Sequence, residues 1–262
     1  MGIKHRVNEQ FFDTWSNPMA YVLGYLYADG NMEYSPSIRA KYVRFFTTDK
    51  DRVLLIRELM GSEHVLYIRK KTLNRKEGYS LHIGSHTLFD ALIKIGVTPN
   101  KTFTASFPDV PSENLAAFTL GYFDGDGCAF LERSASGNPR CLHSIFTSGS
   151  KNFLVSLHVK LVETIGIIKN GPCKHGSSKN AYQLRYATRD SIRLFMFMYA
   201  TEELKALALR RKYAIFTKYF EERNLGPDDL YSVLKQKGPV ANEERIGLQT
   251  QHERVRLPPG PQ

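Results

Sequence analysis

The sequence predicts an α+β fold built from two tandem copies of one α-β-β-α-β-β-α unit, related by a pseudo-two-fold axis. The stretch "MAYVLGYLYADG" (19–30) returns as "AAFTLGYFDGDG" (116–127), with six of twelve positions identical at an offset of 97 residues (126 minus 29). Similar helix and strand patterns follow each copy, as in an internal repeat. A composition of 42% hydrophobic and 24% charged residues is that of a globular chain.

The first copy predicts its elements in a simple order. A helix runs through "MAYVLGYLYAD", with Asn17 as the N-cap, Pro18 at the first helical position and Gly30 as the left-handed residue that closes it. A strand ending near Thr47 and an amphipathic helix in "DRVLLIRELMG" follow. The turn region "KKTLNRKEG", the strand "YSLHIGS" and the helix "HTLFDALIKIG" complete the unit.

The second copy repeats that order. Ser112 is the predicted N-cap of its first helix and Gly127 the closing residue, and a strand through Phe146 and Thr147 precedes the helix in "NFLVSLHVKLVETIG". The strand "YQLRYAT" and the helix "RDSIRLFMFMYA" end the unit. We therefore predict an N-terminal repeat over 1–110, a C-terminal repeat over 111–223 and a partly disordered extension over 224–262, which is neutral and punctuated by Pro and Gly.

Small residues mark one face of each repeated helix. Gly24 and Ala28 lie four apart in the first, and Gly121 and Gly125 in the second. Such a stripe lets two helix backbones approach closely. We expect the two repeated helices to pack on each other at the centre of the molecule.

Each repeated helix ends on an aspartate, Asp29 or Asp126. A carboxylate at this end is opposed by the helix dipole, and two that converge also repel each other. A bound cation would offset both effects, and hard oxygen ligands suit Mg²⁺, with Mn²⁺ as a substitute. The alternative is that each Asp-Gly pair only forms a turn after a packed helix.

The charge balance favours a polyanionic partner. The chain has 36 Lys and Arg against 26 Asp and Glu, a net charge of +10 and a pI of about 9.4. A solvated basic surface is the alternative. No apolar run reaches the length of a membrane span and the N-terminus lacks a signal-peptide core, so we expect an intracellular, non-secreted protein of a bacterial cytoplasm or nucleoid or of an organelle. The three cysteines (Cys128, Cys141 and Cys173) are expected to be reduced.

These residues carry a resemblance to a known family. "VLGYLYADG" and "TLGYFDGDG" resemble the two motifs of single-chain LAGLIDADG homing endonucleases, and the similarity spans about residues 11–223. The resemblance implies two four-stranded antiparallel sheets that form a saddle over double-stranded DNA. It implies cleavage of both strands of a long asymmetric target across the minor groove, with short 3′ overhangs and a divalent metal. It also implies a monomer with no membrane association.

By motif position, the resemblance assigns Asp29 and Asp126 as the catalytic and metal-binding acids. Asp124 occupies a position where the first copy has Tyr27, which argues against its being a required ligand. The family also uses a basic residue late in each repeat, and Lys101 and Lys212 match best. The alternative for each lysine is simple surface exposure.

Readout of the DNA is expected from polar side chains that alternate outward along the strands. The candidates are Arg39, Lys41, Arg44, Arg69, Lys71, Arg75, His82, Arg133, Arg140, His143, Gln183 and Arg185. Any one of them is as compatible with phosphate contact or solvation as with base readout.

Two other interpretations stay open. A non-cleaving binder on the same fold, such as an intron RNA maturase that takes intron RNA as a partner or a transcriptional regulator, predicts degraded acidic positions, whereas both aspartates are present. An intein-embedded nuclease predicts a terminal His-Asn pair, and the chain instead starts with Met1 and lacks that pair. We therefore expect a free-standing or intron-encoded endonuclease.

Overall fold

A computed structural model describes residues 5–99, 104–176 and 180–235. Two halves with the same element order follow each other along the chain. The first contains α1 (Asn17–Asp29), β1 (Gly30–Ser35), β2 (Ala40–Thr47), α2 (Lys50–Leu59), β3 (Leu66–Arg69), β4 (Gly78–Gly84) and α3 (His86–Ile95). The second contains α4 (Leu115–Asp126), β5 (Gly127–Arg133), β6 (Pro139–Ser148), α5 (Lys151–Ile165), β7 (Cys173–Lys174), β8 (Tyr182–Tyr186) and α6 (Thr188–Met198). The predicted duplication of an α-β-β-α-β-β-α unit is confirmed.

Each half has one four-stranded antiparallel sheet. The strand order is β1-β2-β4-β3 in the first and β5-β6-β8-β7 in the second, so the two topologies are the same. The inner face of each sheet carries apolar side chains, such as Val43 and Leu81 in one half and Leu142 and Leu184 in the other. The outer faces are left for solvent or a ligand.

Helices α1 and α4 form the centre of the molecule. Residues 19–27 of α1 and 115–124 of α4 are buried apart from Ala116, and they join one hydrophobic core that spans both halves. A helix that is apolar on nearly all sides belongs inside a protein, which explains why neither motif shows a clear amphipathic period.

Up to residue 235, where the described part of the chain ends, three further helices follow the second half: α7 (Glu202–Leu207), α8 (Arg210–Glu222) and α9 (Pro227–Lys235). Helix α9 begins the segment predicted as an extension and packs against α6, where Arg193 donates a hydrogen bond of 3.3 Å to the carbonyl of Val233. Residues 236–262 lie outside the described part of the chain.

The predicted helix starts are wrong by a residue or more. The N-cap of α1 is Ser16, whose hydroxyl accepts from the amide of Met19, while Asn17 is the first helical residue. In the second copy a short 3₁₀ turn covers Ser112–Asn114 before α4 begins at Leu115. The reason for the first error is that Pro takes the second helical position here.

The predicted left-handed closure at Gly30 and Gly127 is also wrong. Both residues have extended backbone, with φ of −103° and −85°, and each starts a strand directly. Glycine is needed for space, because a Cβ at Gly30 would lie 2.7 Å from the Cα of Leu26, and one at Gly127 2.8 Å from the Cα of Phe123. The chain therefore turns from helix into strand within one residue of each aspartate.

Candidate metal centre and nucleic-acid interface

The two motif helices touch through their glycines. A Cβ built on Gly24 would lie 2.1 Å from the carbonyl oxygen of Phe118, and one on Gly121 would lie 2.0 Å from the carbonyl oxygen of Tyr21. Tyr21 and Phe118 are themselves equivalent positions of the repeat. The contact is therefore reciprocal, as a pseudo-two-fold axis between the helices requires.

Equivalent residues also meet at both ends of the helix pair. At the start, the side-chain amide of Asn114 donates to Asn17 Oδ1 at 3.3 Å. At the finish, a Cβ on Gly125 would lie 2.4 Å from the Cβ of Ala28. The helices thus run in parallel, and their C-terminal ends lie side by side.

Asp29 and Asp126 are the last residues of these two helices and are partly exposed. The Oδ2 atom of Asp29 lies 3.6 Å from the Cβ position of Gly125, which directly precedes Asp126. Two carboxylates and two helix C-termini, all of negative sign, are therefore concentrated in one small region. Such a donor set fits a hard divalent cation that keeps several water ligands.

A shallow depression opens beside Asp126 between the two helix ends. Ala28, Gly30, Tyr122 and Ser148 are among the residues that line it. The depression borders Asp126 and the sheets, because Gly30 begins β1 and Ser148 ends β6.

A buried tyrosine lies one turn before each aspartate, Tyr25 before Asp29 and Tyr122 before Asp126. Burial raises the pKa of both hydroxyls above the usual range, and the charge of the following aspartate raises the pKa of each further. Tyr122 Oη donates to the carbonyl of Thr147 at 2.7 Å. These neutral hydroxyl donors connect the helix ends to the adjoining strands. The sequence signal that points to them is that both repeats have tyrosine at this position.

Lys212, on α8, holds the end of α4. Its side chain is buried, and Nζ donates to the carbonyls of Phe123 at 2.5 Å, Asp124 at 2.9 Å, Gly125 at 3.5 Å and Gly127 at 2.5 Å. Burial lowers the pKa of Lys212 to about 8, against the opposing effect of nearby carboxylates. The lysine is therefore not a surface residue, whereas Lys101 lies outside the described residues.

Asp124 lies within the helix pair and away from solvent. Burial raises its pKa to about 6, although Lys212 and Arg52 act in the opposite direction. Its Oδ2 atom accepts hydrogen bonds from Tyr21 and from the backbone of Leu209. This carboxylate is directed into the protein interior, where it has protein donors.

The outer face of the first sheet is defined by its register. Arg44 lies opposite Asn31 on β1 and opposite His82 on β4. Each of these residues alternates with a buried neighbour, such as Val43 or Leu81, so all three lie on the outer face. Arg69 shares that face, because its guanidinium lies 4.6 Å from the ring centre of Phe46. Arg39 lies in the β1–β2 turn, and Lys71 and Arg75 lie in the exposed β3–β4 loop.

The second sheet presents a different set of side chains outward. His143 stacks on Phe130 with ring centres 4.8 Å apart, and its Nε2 lies 3.0 Å from Glu132. Arg140, at a bulge, also lies 3.4 Å from Glu132. Gln183 and Arg185 extend the same face along β8.

Two candidates do not face outward, because each pairs with an acid on a helix that covers the inner side of its sheet. Lys41 Nζ lies 2.5 Å from Asp90 on α3, and Arg133 forms hydrogen bonds of 2.8 and 2.9 Å with Glu222 on α8. Strict alternation fails for Arg133 because the register shifts at the bulge beside it. Two acidic residues that were not predicted for the interface, Glu33 and Glu132, also lie on the outer faces and are paired there with Arg44 and Arg140.

Comparison with known proteins identifies the architecture. No protein-family model matches the chain, and no curated protein gives a significant sequence match. Among solved structures, the homing endonuclease I-WcaI bound to its DNA recognition sequence superposes with a TM-score of 0.50 at 14% identity, covering 77% of this chain and 91% of that one. The LAGLIDADG meganuclease I-AabMI bound to uncleaved DNA gives 0.50 at 14% identity, covering 85% and 98%. I-DmoI in complex with DNA and Mn gives 0.49 at 15% identity, covering 71% and 98%.

The likeness extends over both halves of the chain. Both similar structures with a TM-score of 0.50 are matched over more than nine-tenths of their own length. Across the described residues, no helix combines the length and apolar character needed to cross a membrane.

The match over both halves shows that the chain has the fold of the two-motif, single-chain LAGLIDADG homing endonucleases.

Proposed function

We propose that this chain is a site-specific endonuclease that hydrolyses both strands of a long, asymmetric duplex DNA target. The observation that carries the proposal is the convergence of Asp29 and Asp126 at the ends of two parallel helices. These ends lie where each helix passes into the first strand of its sheet, so the carboxylates border the polar outer faces. An acidic, cation-binding centre beside basic strands is the arrangement that metal-assisted phosphodiester hydrolysis needs.

Asp29 and Asp126 would hold Mg²⁺, with Mn²⁺ as a substitute. The fit is electrostatic: each carboxylate lies at the negative end of its helix, and that of Asp29 also lies close to the backbone of the other helix, so both would be stabilised by a cation. When bound, the metal supplies an activated water and stabilises the charge that develops on the phosphate.

The other residues position this centre. Lys212 fixes the last turn of α4 through its carbonyls and thus sets where Asp126 lies. The Tyr122 hydroxyl ties the same turn to β6. A displacement of about 1 Å at a reacting centre can reduce a rate a hundredfold, so rigid support of the two carboxylates is part of the function.

The outer faces of the two sheets would bind the DNA. Arg44, Arg69 and His82 lie on one face, and His143 and Arg185 on the other. The two faces carry different side chains, so the target is expected to be asymmetric. Several basic side chains are engaged with Glu33 and Glu132 in the free protein, and these ion pairs would open or rearrange on binding.

The test is cleavage of a randomised duplex library in Mg²⁺, followed by sequencing of the cut ends. The wild type should cut one long asymmetric motif. Asp29→Asn and Asp126→Asn should abolish cleavage or reduce it to nicking while they still bind the motif. Asp90→Asn, which removes a carboxylate on α3 far from the helix ends, is the matched control and should cut normally.

A second readout separates metal binding from activity. Mn²⁺ binding to the free protein, measured by electron paramagnetic resonance, should weaken at least tenfold in both active-site variants and not in Asp90→Asn. A wild type that binds a motif and never cuts it would overturn the nuclease proposal and favour a regulator or maturase.

A further inference from the structure

A buried polar cluster joins the two halves on one side of the helix pair. Asp124 Oδ2 accepts from the hydroxyl of Tyr21 at 2.9 Å and from the amide of Leu209 at 2.8 Å. Arg52, on α2, donates to the Tyr21 hydroxyl at 2.9 Å, and its Nη1 lies 3.9 Å from Asp124. We call Tyr21, Arg52 and Asp124 the polar cluster: the first half supplies the phenol and the guanidinium, and the second supplies the carboxylate.

An aromatic cluster occupies the other side of the same helix pair. The ring of Tyr27 lies 5.7 Å from that of Phe118 and stacks on that of Phe153 at 5.4 Å, measured between ring centres. The Tyr27 hydroxyl is buried, and no hydrogen-bond partner is found for it among the described residues. Tyr27, Phe118 and Phe153 thus form a contact through rings alone.

The pseudo-two-fold axis relates the two clusters member by member. Tyr21 corresponds to Phe118 and Tyr27 to Asp124, each pair 97 residues apart (118 minus 21; 124 minus 27). Arg52 corresponds to Phe153, because each is the third residue of its helix, α2 or α5. The same three positions are therefore polar on one side of the axis and aromatic on the other.

We propose that these clusters make each half fit the other half and reject a copy of itself. If two N-terminal halves paired, Tyr21 and Arg52 would face Tyr27, and the buried guanidinium would have no carboxylate. If two C-terminal halves paired, Asp124 would lie against Phe118 and Phe153 without the phenol and guanidinium beside it. Leaving a buried charge without its partner is strongly unfavourable, so only the pairing of unlike halves places the Arg52 guanidinium and the Asp124 carboxylate together.

This matters because the duplication creates competing interfaces. Gly24 and Gly121 are equivalent and make the same crossing contact, so this contact alone would permit pairing of like halves between two chains. The polar and aromatic clusters discriminate against such dimers by differences in free energy between pairings. The inference does not depend on nuclease activity, since its readout is molecular mass in the absence of DNA.

The test exchanges the residues of the two halves at one position, Tyr27 and Asp124. All its variants carry Ala28→Gly, because two N-terminal halves would otherwise bring the Cβ atoms of their Ala28 residues to about the 2.4 Å found for a Cβ at Gly125. In the double variant Tyr27→Asp with Asp124→Tyr, the first half carries all three polar members and the second all three aromatic ones. Like halves then match and unlike halves clash. After unfolding and refolding at micromolar concentration, size-exclusion chromatography with light scattering should show a mass twice that of the wild type. A double variant that refolds as a monomer overturns the proposal.

Matched variants cover other outcomes. Tyr27→Phe removes only a hydroxyl without a partner and should remain monomeric like the wild type, so dimerisation of this variant would also overturn the proposal. If the double variant does not refold, a double-mutant cycle with Tyr21→Phe and Asp124→Ala decides. The two changes should be coupled at least about threefold in the unfolding equilibrium, since they remove opposite ends of one buried hydrogen bond. Independent effects would show that the polar cluster does not join the halves.

Discussion

Substituting Gly121 by alanine tests how closely the two motif helices must approach. The added Cβ would lie 2.0 Å from the carbonyl oxygen of Tyr21, whereas ordinary contacts begin near 3.4 Å. The helices would have to separate by about 1.4 Å at this point, and both sides of the clash are helix backbone. Overpacking of this kind costs about 1–3 kcal/mol, with rigid sites at the upper end.

The opposing term is helix propensity. Alanine in place of glycine within a helix is favourable by about 1 kcal/mol. With a clash near the upper end of the range, Gly121→Ala should lower the free energy of unfolding by about 2 kcal/mol. Gly24→Ala, with its Cβ 2.1 Å from the carbonyl of Phe118, should have the same effect.

Urea denaturation followed by circular dichroism measures this change. Gly171→Ala is the control, because its Cβ would meet only the ring of His158 at 3.5 Å, an ordinary contact. We expect this control to change stability by less than about 0.5 kcal/mol. A stabilisation of about 1 kcal/mol in Gly121→Ala would mean that propensity alone acts there and would refute the close approach. The same displacement should reduce cleavage, because it moves Asp126 relative to Asp29.

Three further predictions concern single side chains. Lys212→Met should lower the free energy of unfolding by about 1–3 kcal/mol, because the last carbonyls of α4 lose their buried donor; an unchanged urea midpoint would contradict this. The hydrogen bonds and charge of Arg211 lower the pKa of Asp49 in the folded protein. This ion pair between the halves therefore stabilises the fold at pH values above the pKa that Asp49 has in the unfolded chain. The stabilisation is lost as the pH falls through the lowered pKa of the folded state. Asp49→Asn should therefore cost up to about 1 kcal/mol at pH 7, with a gap from wild type that closes below about pH 4 in denaturation measured across pH. Arg185→Ala should weaken DNA binding and flatten its salt dependence, whereas Lys41→Ala should leave both unchanged in fluorescence anisotropy; equal losses would mean that the outer face is not the binding surface.

The repeated motif could be predicted from the sequence, because the glycines of the helix contact and the aspartate at the helix end lie within a single helix. Gly24 and Gly121 lie on the buried faces of their helices, and each aspartate ends its helix, so spacing alone indicates a shared centre. These features depend on residues within one turn or one hairpin of each other.

Contacts between residues that are far apart along the chain could not be predicted from the sequence. The resemblance selects Lys212 as a candidate, but its contacts with the end of α4 join residues 85 to 89 positions apart and depend on where α8 lies. The inward direction of Arg133 depends on a register shift and on Glu222 of α8, which the strand pattern does not show. Lys41 is a different case, because it lies in phase with the buried Val43 and strict alternation along β2 already places it on the inner face.

The sequence by itself determined the duplication, the α+β class and the position of one aspartate at the end of each repeated helix. These features follow from a repeated pattern, which can be recognised in the order of the residues alone. Only the tertiary structure decided that Tyr21, Arg52 and Asp124 form one polar cluster and that Tyr27, Phe118 and Phe153 form its aromatic counterpart. The physical reason is that the burial of a side chain and its hydrogen-bond partners are set by residues that are close in space and distant in sequence. The energy of a charge such as Asp124 depends on which donors the fold brings within about 3 Å of it.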